Sequence, residues 1–370
     1  MAEGIAAAGM KVSMVNLCHT AEEYKSYKEA FPSGCRYDLY PGTKGRLYAG
    51  SHKLDKLLNN IGLAWRLFRV LKKLAGKDES VIILFRGAIE TLIPAVIIKH
   101  RMKTPMIGNI MEYSPAFPSY KRNPLVRWQW RYILKESDAF MVISDLLFHK
   151  LNRLKSTLYV PALWGPKTGD QELEVRLPQA IADKILGDTP LLIYTASKEY
   201  KELLEVTLRA LALVKHNFRL CITGKYSREA LNGWMLLARD LDIQDRVFFC
   251  GFLNPPEFRW LEHRSTALLL PLLSTDRHRG RFPQKILHYM SLGKPIVTSH
   301  VGEIAHNFTD GINAYVDHTV TIEGFAKKIS EVLSSPGKAA ETGKAASLHV
   351  ERSFGYIKWG KEIFRFIRSI

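Results

Sequence analysis

Short apolar, β-branched runs alternate with amphipathic stretches of helical length along the whole of this chain. That alternation constrains the fold more than any other feature, because strands separated by helices pair in parallel and build βαβ units. In the first half, strands are predicted at Lys11–Leu17, Arg36–Tyr40, Val81–Phe85, Pro105–Asn109, Ala139–Ile143 and Ser156–Val160, and helices at Leu54–Leu74 and Leu125–Lys135. Pro161, Gly165, Pro166, Gly169, Pro178 and Pro190 then break the pattern, as a domain boundary does. A second series has strands at Leu191–Thr195, Arg219–Thr223, Val247–Cys250, Ala267–Pro271, Pro295–Thr298 and Ala314–Val316. The expectation is an α/β chain of two Rossmann-like domains, residues 1–165 and 190–350, joined by a linker at 166–189. Met1–Gly9 reads as the end of a helix running into a strand. The first domain is therefore expected to lack the strand and phosphate-binding loop that usually open a doubly wound sheet. Either Met1 is not the true start or the fold compensates.

With 46% hydrophobic residues over 370 positions, the chain has enough apolar surface to exclude disorder. Its longest apolar runs have strand length, far below the roughly 20 residues of a membrane-spanning helix. The N-terminus lacks the pattern of a secretory signal. Cys18, Cys35, Cys221 and Cys250 form no Cys-x-x-Cys pair and read as reduced, mostly buried thiols of a cytoplasmic protein, neither a zinc site nor a disulfide framework.

The net charge of +17 is the abnormal number. Residues 1–165 hold 25 Lys and Arg against 13 Asp and Glu, a surplus of 12; the remaining residues hold 28 against 23, a surplus of 5. A basic first half points to an anionic partner: a membrane surface, a nucleic acid or a phosphorylated substrate.

The densest cluster of informative residues is Arg279-Gly-Arg-Phe-Pro-Gln-Lys-Ile-Leu-His-Tyr-Met-Ser-Leu-Gly-Lys-Pro-Ile-Val-Thr-Ser299. It reads as a basic loop after a strand, entering a helix near Pro283, where proline suits the first turn. Free backbone N–H groups there, with Arg279, Arg281 and Lys285, suit a diphosphate. A solvated basic loop before an ordinary helix is the competing reading.

The run from Phe282 to Val297 resembles the donor-site signature of glycosyltransferase family 4, in its Phe-Pro-x-Lys subgroup. Arg219–Gly224 and Val247–Leu253 are similar to that family's second C-domain strand with its glycine and to the strand whose loop faces the nucleotide base. Gly302, Glu303 and Asp310-Gly-Ile-Asn313 look like the loops that follow, and Ser137–Leu147 like the strand closing the N-terminal domain. The resemblance implies a GT-B fold: two Rossmann-like domains facing each other across a donor cleft, with a final helix, residues 351–370, crossing back onto the first. It implies transfer of a sugar, with retention of configuration and without metal or other cofactor, from a nucleotide-diphosphate sugar whose nucleotide, UDP or GDP, stays open. The acceptor class it implies is a glycan or lipid-linked acceptor in bacterial surface polysaccharide, lipopolysaccharide or glycolipid synthesis. Donor contacts are expected from Gly224, Gly251, Phe252, Phe282, Pro283, His288, Gly302 and Glu303.

Two positions depart from the family pattern. His288 stands where a Glu usually accepts from the ribose hydroxyls, with Gly280 eight residues earlier in place of another Glu. Imidazole has no pair of acceptor oxygens, so ribose binding should be weaker or differently arranged. In the loop after Leu191–Thr195, Ser197 occupies the place of an Arg, and Lys198 and Lys201 are near but out of register. Either lysine grips the diphosphate as a point charge or simply opens a helix.

Catalysis is expected from Lys285 and Arg281, which would stabilise charge on the departing diphosphate, and from Glu112 at the carboxyl end of a predicted strand. Glu112 could instead cap the turn that follows. Arg86, at another strand end, would bind an acceptor phosphate or sit exposed.

Leu54, Leu57, Leu58, Ile61, Trp65, Phe68 and Leu71 recur at helical spacing among Lys56, Arg66, Arg69, Lys72 and Lys73. Such a helix packs on a core with a solvated basic face, or docks on anionic lipid at the inner face of the plasma membrane with Trp65 and Phe68 at the interface. Lys121–Arg131 adds a second basic, aromatic patch. No nucleic-acid-binding module is visible, and nucleic acid is not expected as a partner. The alternative function is a degenerate GT-B protein that binds sugar nucleotide poorly and serves as a binding or scaffold subunit.

Overall fold

The computed structural model describes residues 1–18, 36–41, 53–75, 80–84, 88–165, 182, 185, 187–196 and 200–370. The chain forms two compact units, one of Met1–Leu163 with Gly355–Ile370 and the other of Trp164–Phe354. Among the described residues, every strand predicted from the apolar runs is present within two residues of its expected ends.

In the first unit, β1 (Ser13–Cys18) and β2 (Arg36–Pro41) form a parallel pair of their own. A separate parallel sheet holds β3 (Ile82–Leu84), β4 (Met106–Ile110), β5 (Ala139–Val142) and β6 (Thr157–Tyr159), neighbours in that order. β4 and β5 are buried along their whole length, which is why they read as unbroken apolar runs rather than alternating ones. The last helix, Tyr356–Ile367, belongs to this unit: Ile363 and Ile367 pack with Ile5, Ile107 and Met141. Its Gly360 lies against Gly4 of the first helix, Ala2–Ala7, so closely that a Cβ on Gly360 would strike the Gly4 backbone and one on Gly4 the Tyr356 carbonyl. Glycine at this helix crossing is a steric requirement.

The second unit is built on one six-stranded parallel sheet. Its strands are β7 (Leu191–Thr195), β8 (Arg219–Thr223), β9 (Val247–Gly251), β10 (Ala267–Leu270), β11 (Ile296–Ser299) and β12 (Tyr315–Asp317). Their spatial order is β12-β11-β10-β7-β8-β9, so the winding reverses between β7 and β10. The core beneath them includes Leu204, Leu208, Leu211, Phe218, Phe325 and Ile329, all at most 1% exposed. Cys221 and Cys250, far apart in sequence, meet because β8 and β9 are neighbours; both are free thiols, with Sγ atoms 2.7 Å apart. Cys18 lies in β1, and Cys35 lies outside the described residues.

Among the described residues, no helix is long and apolar enough to cross a membrane.

Candidate functional site

Open α/β sheets bind ligands beyond the carboxyl ends of their strands, where the strand order reverses. In the second unit that point is the end of β7, and the sheet gathers its polar groups there. The Thr195 carbonyl accepts a hydrogen bond from Lys285 Nζ at 2.7 Å, and the Thr195 hydroxyl lies 2.9 Å from the Tyr289 hydroxyl. Lys285 and Tyr289 stand one turn apart on the helix Lys285–Ser291, which sets both against the same strand end.

A few residues beyond β7, the Tyr200 ring carries two guanidinium groups, Arg277 at 4.1 Å and Arg281 at 3.7 Å from its centroid. His278 meets the same ring edge-on at 5.5 Å. Glu202 is the acidic partner, 3.4 Å from Arg277 and 3.8 Å from His278. Burial by itself would raise the Glu202 carboxyl, but the His278 hydrogen bond and the Arg277 charge outweigh it and hold the group below its usual range. Burial pushes His278 down. Burial, then the charge of Arg281, lowers Lys285 to about 8. Arg277, Arg281 and Lys285 thus gather three cationic side chains beside this strand end, a concentration of positive charge of the kind an anion site uses.

The loop expected to be open and basic is more ordered than its composition suggests. Asp276–Arg279 forms a short helix capped by Thr275, and Arg279 donates to Ser274 Oγ at 2.6 Å. The next helix starts at Lys285, two residues past Pro283. The amides of Ile286 and Leu287 donate to the carbonyls of Pro283 and Gln284, a tight turn before the helix proper. With seven residues this helix has little macrodipole, so of the two sources expected from the sequence, backbone N–H groups and cationic side chains, the side chains carry most of the positive charge. Phe282 and Pro283 are buried; Phe282 packs edge-on against Phe354 at 5.5 Å and anchors the loop. Neither points a free surface at a ligand.

The neighbouring strand ends add glycine turns. Gly224 follows β8 with φ +124°, and a Cβ there would come within 2.5 Å of the Ala196 carbonyl oxygen, so this close approach needs glycine. Its amide donates to the carbonyl of Gly251 at 2.8 Å, whose own amide donates to the Tyr226 hydroxyl. Phe252 is 63% exposed, with Lys225 Nζ 4.4 Å from its ring centre, an open aromatic face beside a cation. Gly302 lies against the backbone of Arg279, and Glu303 is buried at the start of a short helix, Glu303–Asn307.

His288 is 38% exposed and its Nε2 lies 2.8 Å from Oε2 of Glu262, a carboxylate on the helix Pro255–Arg264 with no exposed surface. Lys201 is exposed at the first position of the helix Lys201–Ala212, in keeping with the helix-start reading. Lys198 and Arg86 lie outside the described residues. Glu112 is exposed in the bend just past β4, in the first unit.

The basic helix Lys53–Ala75 is divided: Leu67 and Val70 are buried, whereas Ile61 is 56% and Trp65 61% exposed. Trp65 stacks on Phe68, over which Arg101 also lies; Arg69, Lys72 and Lys73 are exposed and Arg66 partly so. The side chains of Leu54, Leu57 and Leu58 lie outside the described residues. In the second patch, Leu125 and Trp128 are exposed and Trp128 stacks on Tyr132.

Sequence reasoning missed Tyr200, Glu202, Arg277, His278 and Glu262. Arg277 and His278 directly precede the basic motif, so Asp276-Arg-His-Arg279 was a visible extension of it. Glu262 lies in an ordinary helix and gave no signal.

Residues 180–349 match the family described as Glycosyl transferases group 1. A glycogen synthase of Mycobacterium tuberculosis is 24% identical over 237 residues, 61% of this chain and 52% of the relative. The chain thus spans about half the length of the curated relatives it matches. Among solved structures, a glycosyltransferase from Rickettsia africae is similar at TM-score 0.68 and 14% identity, covering 99% of this chain and 94% of that one. The Anabaena protein HepE, in complex with UDP and glucose, is similar at TM-score 0.67 and 12% identity, with 99% and 94% covered. The fold is GT-B, as expected from the motif resemblance.

Proposed function

We propose that this chain is a retaining, metal-independent glycosyltransferase of family 4 that moves a sugar from a nucleotide-diphosphate sugar to a glycan or lipid-linked acceptor. The observation that carries the reading is the convergence of Lys285, Arg281 and Arg277 on the end of β7. As the bond from sugar to diphosphate breaks, negative charge grows on the leaving oxygen. Cations fixed in advance stabilise that charge without having to reorganise. Lys285 is fixed by Thr195 and Arg281 by the face of Tyr200, so both meet this condition. Phe252 offers a platform for the base, and Gly224 lets the loop after β8 pack closely against the Ala196 backbone at the end of β7. Glu112 is the proposed acidic contributor to transfer. HepE was solved with UDP, which favours a uridine nucleotide over GDP for this chain.

The surplus charge of the first unit and its exposed Trp65 and Trp128 support docking on an anionic membrane, the cytoplasmic face of the plasma membrane in this reading. That location suits a lipid-linked acceptor of surface polysaccharide synthesis. A degenerate, binding-only protein is the second reading. His288 favours it, because an imidazole lacks the pair of acceptor oxygens that a carboxylate would offer at this position.

A thermal-shift and calorimetric screen against UDP, GDP and their common sugars tests the reading. One nucleotide should stabilise the protein and its sugar should be consumed when acceptor is added. Binding of none overturns the proposal, and binding without turnover favours the second reading.

A further inference from the structure

Glu262 is 0% exposed, and only one of its two oxygens is used. Oε2 lies 2.8 Å from His288 Nε2, while Oε1 has no hydrogen-bond partner among the described residues. A carboxylate buried with an empty acceptor is unfavourable, and an apolar residue of similar size would pack there without that penalty. The helix carrying it is held firmly: Asn254 and Glu257 form a capping box at its start, and the Ser265 hydroxyl donates to the Glu262 carbonyl at its end. The carboxylate is therefore fixed in place with one task, the ring of His288.

We propose that Glu262 is a positioning residue that fixes the tautomer of His288 and leaves Nδ1 as the acceptor for a ribose hydroxyl of the donor nucleotide. An ionised carboxylate can only accept, so Nε2 must carry the ring proton and Nδ1 of the neutral ring keeps a lone pair. His288 is three residues past Lys285 on one helix, hence a neighbour on the same face about one 5.4 Å turn away. In a nucleoside diphosphate the group next to the phosphates is the ribose. If Lys285 holds the diphosphate, the ribose hydroxyls fall at the level of His288. One nitrogen, oriented by a buried carboxylate, then accepts where a surface carboxylate would accept with two oxygens. The inference rests on the nucleotide-sugar reading of the site, but its tautomer test does not.

The test has two arms on the full chain. In the first, long-range ¹H–¹⁵N spectra of histidine-labelled protein, assigned by difference with His288→Phe, report the His288 tautomer without ligand. Wild type should show Nε2–H with Nδ1 unprotonated. Glu262→Gln, whose amide can donate to Nε2, should move the proton to Nδ1. In the second, calorimetry compares UDP with its 2′,3′-dideoxy analogue, and GDP likewise. Wild type should prefer the ribose form by about tenfold, the scale of one hydrogen bond to a fixed acceptor. Glu262→Gln should reduce that ratio to near one while leaving affinity for the dideoxy form unchanged. The double variant Glu262→Gln with His288→Glu should restore it. A protonated Nδ1 in wild type, an unmoved tautomer in Glu262→Gln, or an equal loss for both nucleotides overturns the proposal. If wild type binds neither nucleotide, the donor reading and the ribose assignment both fail, and the spectra still decide whether Glu262 sets the tautomer.

Discussion

Lys285 Nζ donates to the Thr195 carbonyl across 2.7 Å, which ties the first residue of one helix to the last residue of the central strand. The bond places a cation at the winding reversal. Burial there, and then the charge of Arg281, lower Lys285 to about 8, well below an ordinary lysine.

A pH dependence follows with a definite sign. Between about pH 8 and the ordinary lysine value near 10.4, the unfolded chain holds a proton that folded Lys285 has lost, so stability rises with pH across that window. Below pH 8 both states are protonated and the full desolvation penalty is present. Urea unfolding at pH 7 and pH 10 should show a gain of up to about 3 kcal/mol from this group, absent in Lys285→Met. Nucleotide affinity should run the other way, falling as pH rises and the cation is lost. An affinity flat from pH 6 to 10 would remove Lys285 from the diphosphate site.

Tyr200 contacts both Arg277 and Arg281 by its ring face, so Tyr200→Leu should remove that shared contact while keeping an apolar side chain in the core. Two cation–π contacts of about 0.5–1 kcal/mol each predict a loss of up to about five- to thirtyfold in Kd for the nucleotide diphosphate, measured by calorimetry, with a modestly lowered Tm. A normal Kd would mean that the guanidinium groups are placed by something else.

Gly224→Ala should be costly for a reason independent of any ligand. The residue has φ +124° and its Cβ would press on the Ala196 carbonyl. A loss of about 2–4 kcal/mol in urea denaturation is expected, along with weaker nucleotide binding because the β7 loop must shift. Unchanged stability would show that the two loops separate freely.

Trp65→Ala and Trp128→Ala remove exposed aromatic surface and should leave stability within about 0.5 kcal/mol. In sedimentation with vesicles containing phosphatidylglycerol at low salt, each should lower the bound fraction severalfold, and moderate salt should do the same to wild type. Wild-type protein that ignores anionic vesicles would end the membrane reading.

The strands were legible because parallel sheets bury both faces, so Leu191–Thr195 and Ala267–Leu270 stand out as apolar runs without any knowledge of partners. Site chemistry was legible only where charge and glycine lay within one contiguous segment, as from Arg279 to Lys285. Tyr200 and Glu262 were invisible because their roles depend on contacts across 81 and 26 residues of chain, to Arg281 and His288, set by helix packing and not by local pattern. Phe282 was misread for the converse reason: its place in a ligand motif hid its burial against Phe354.

The second unit is one unbroken stretch of chain, whereas the first is assembled from residues on both sides of it. Ile363 and Ile367 complete an apolar cluster that begins at Ile5, so on the ribosome that cluster must wait until all of residues 164–354 have been made. Order of synthesis thus separates the two units in time: the six-stranded sheet can reach its native state first, and the basic unit is completed last.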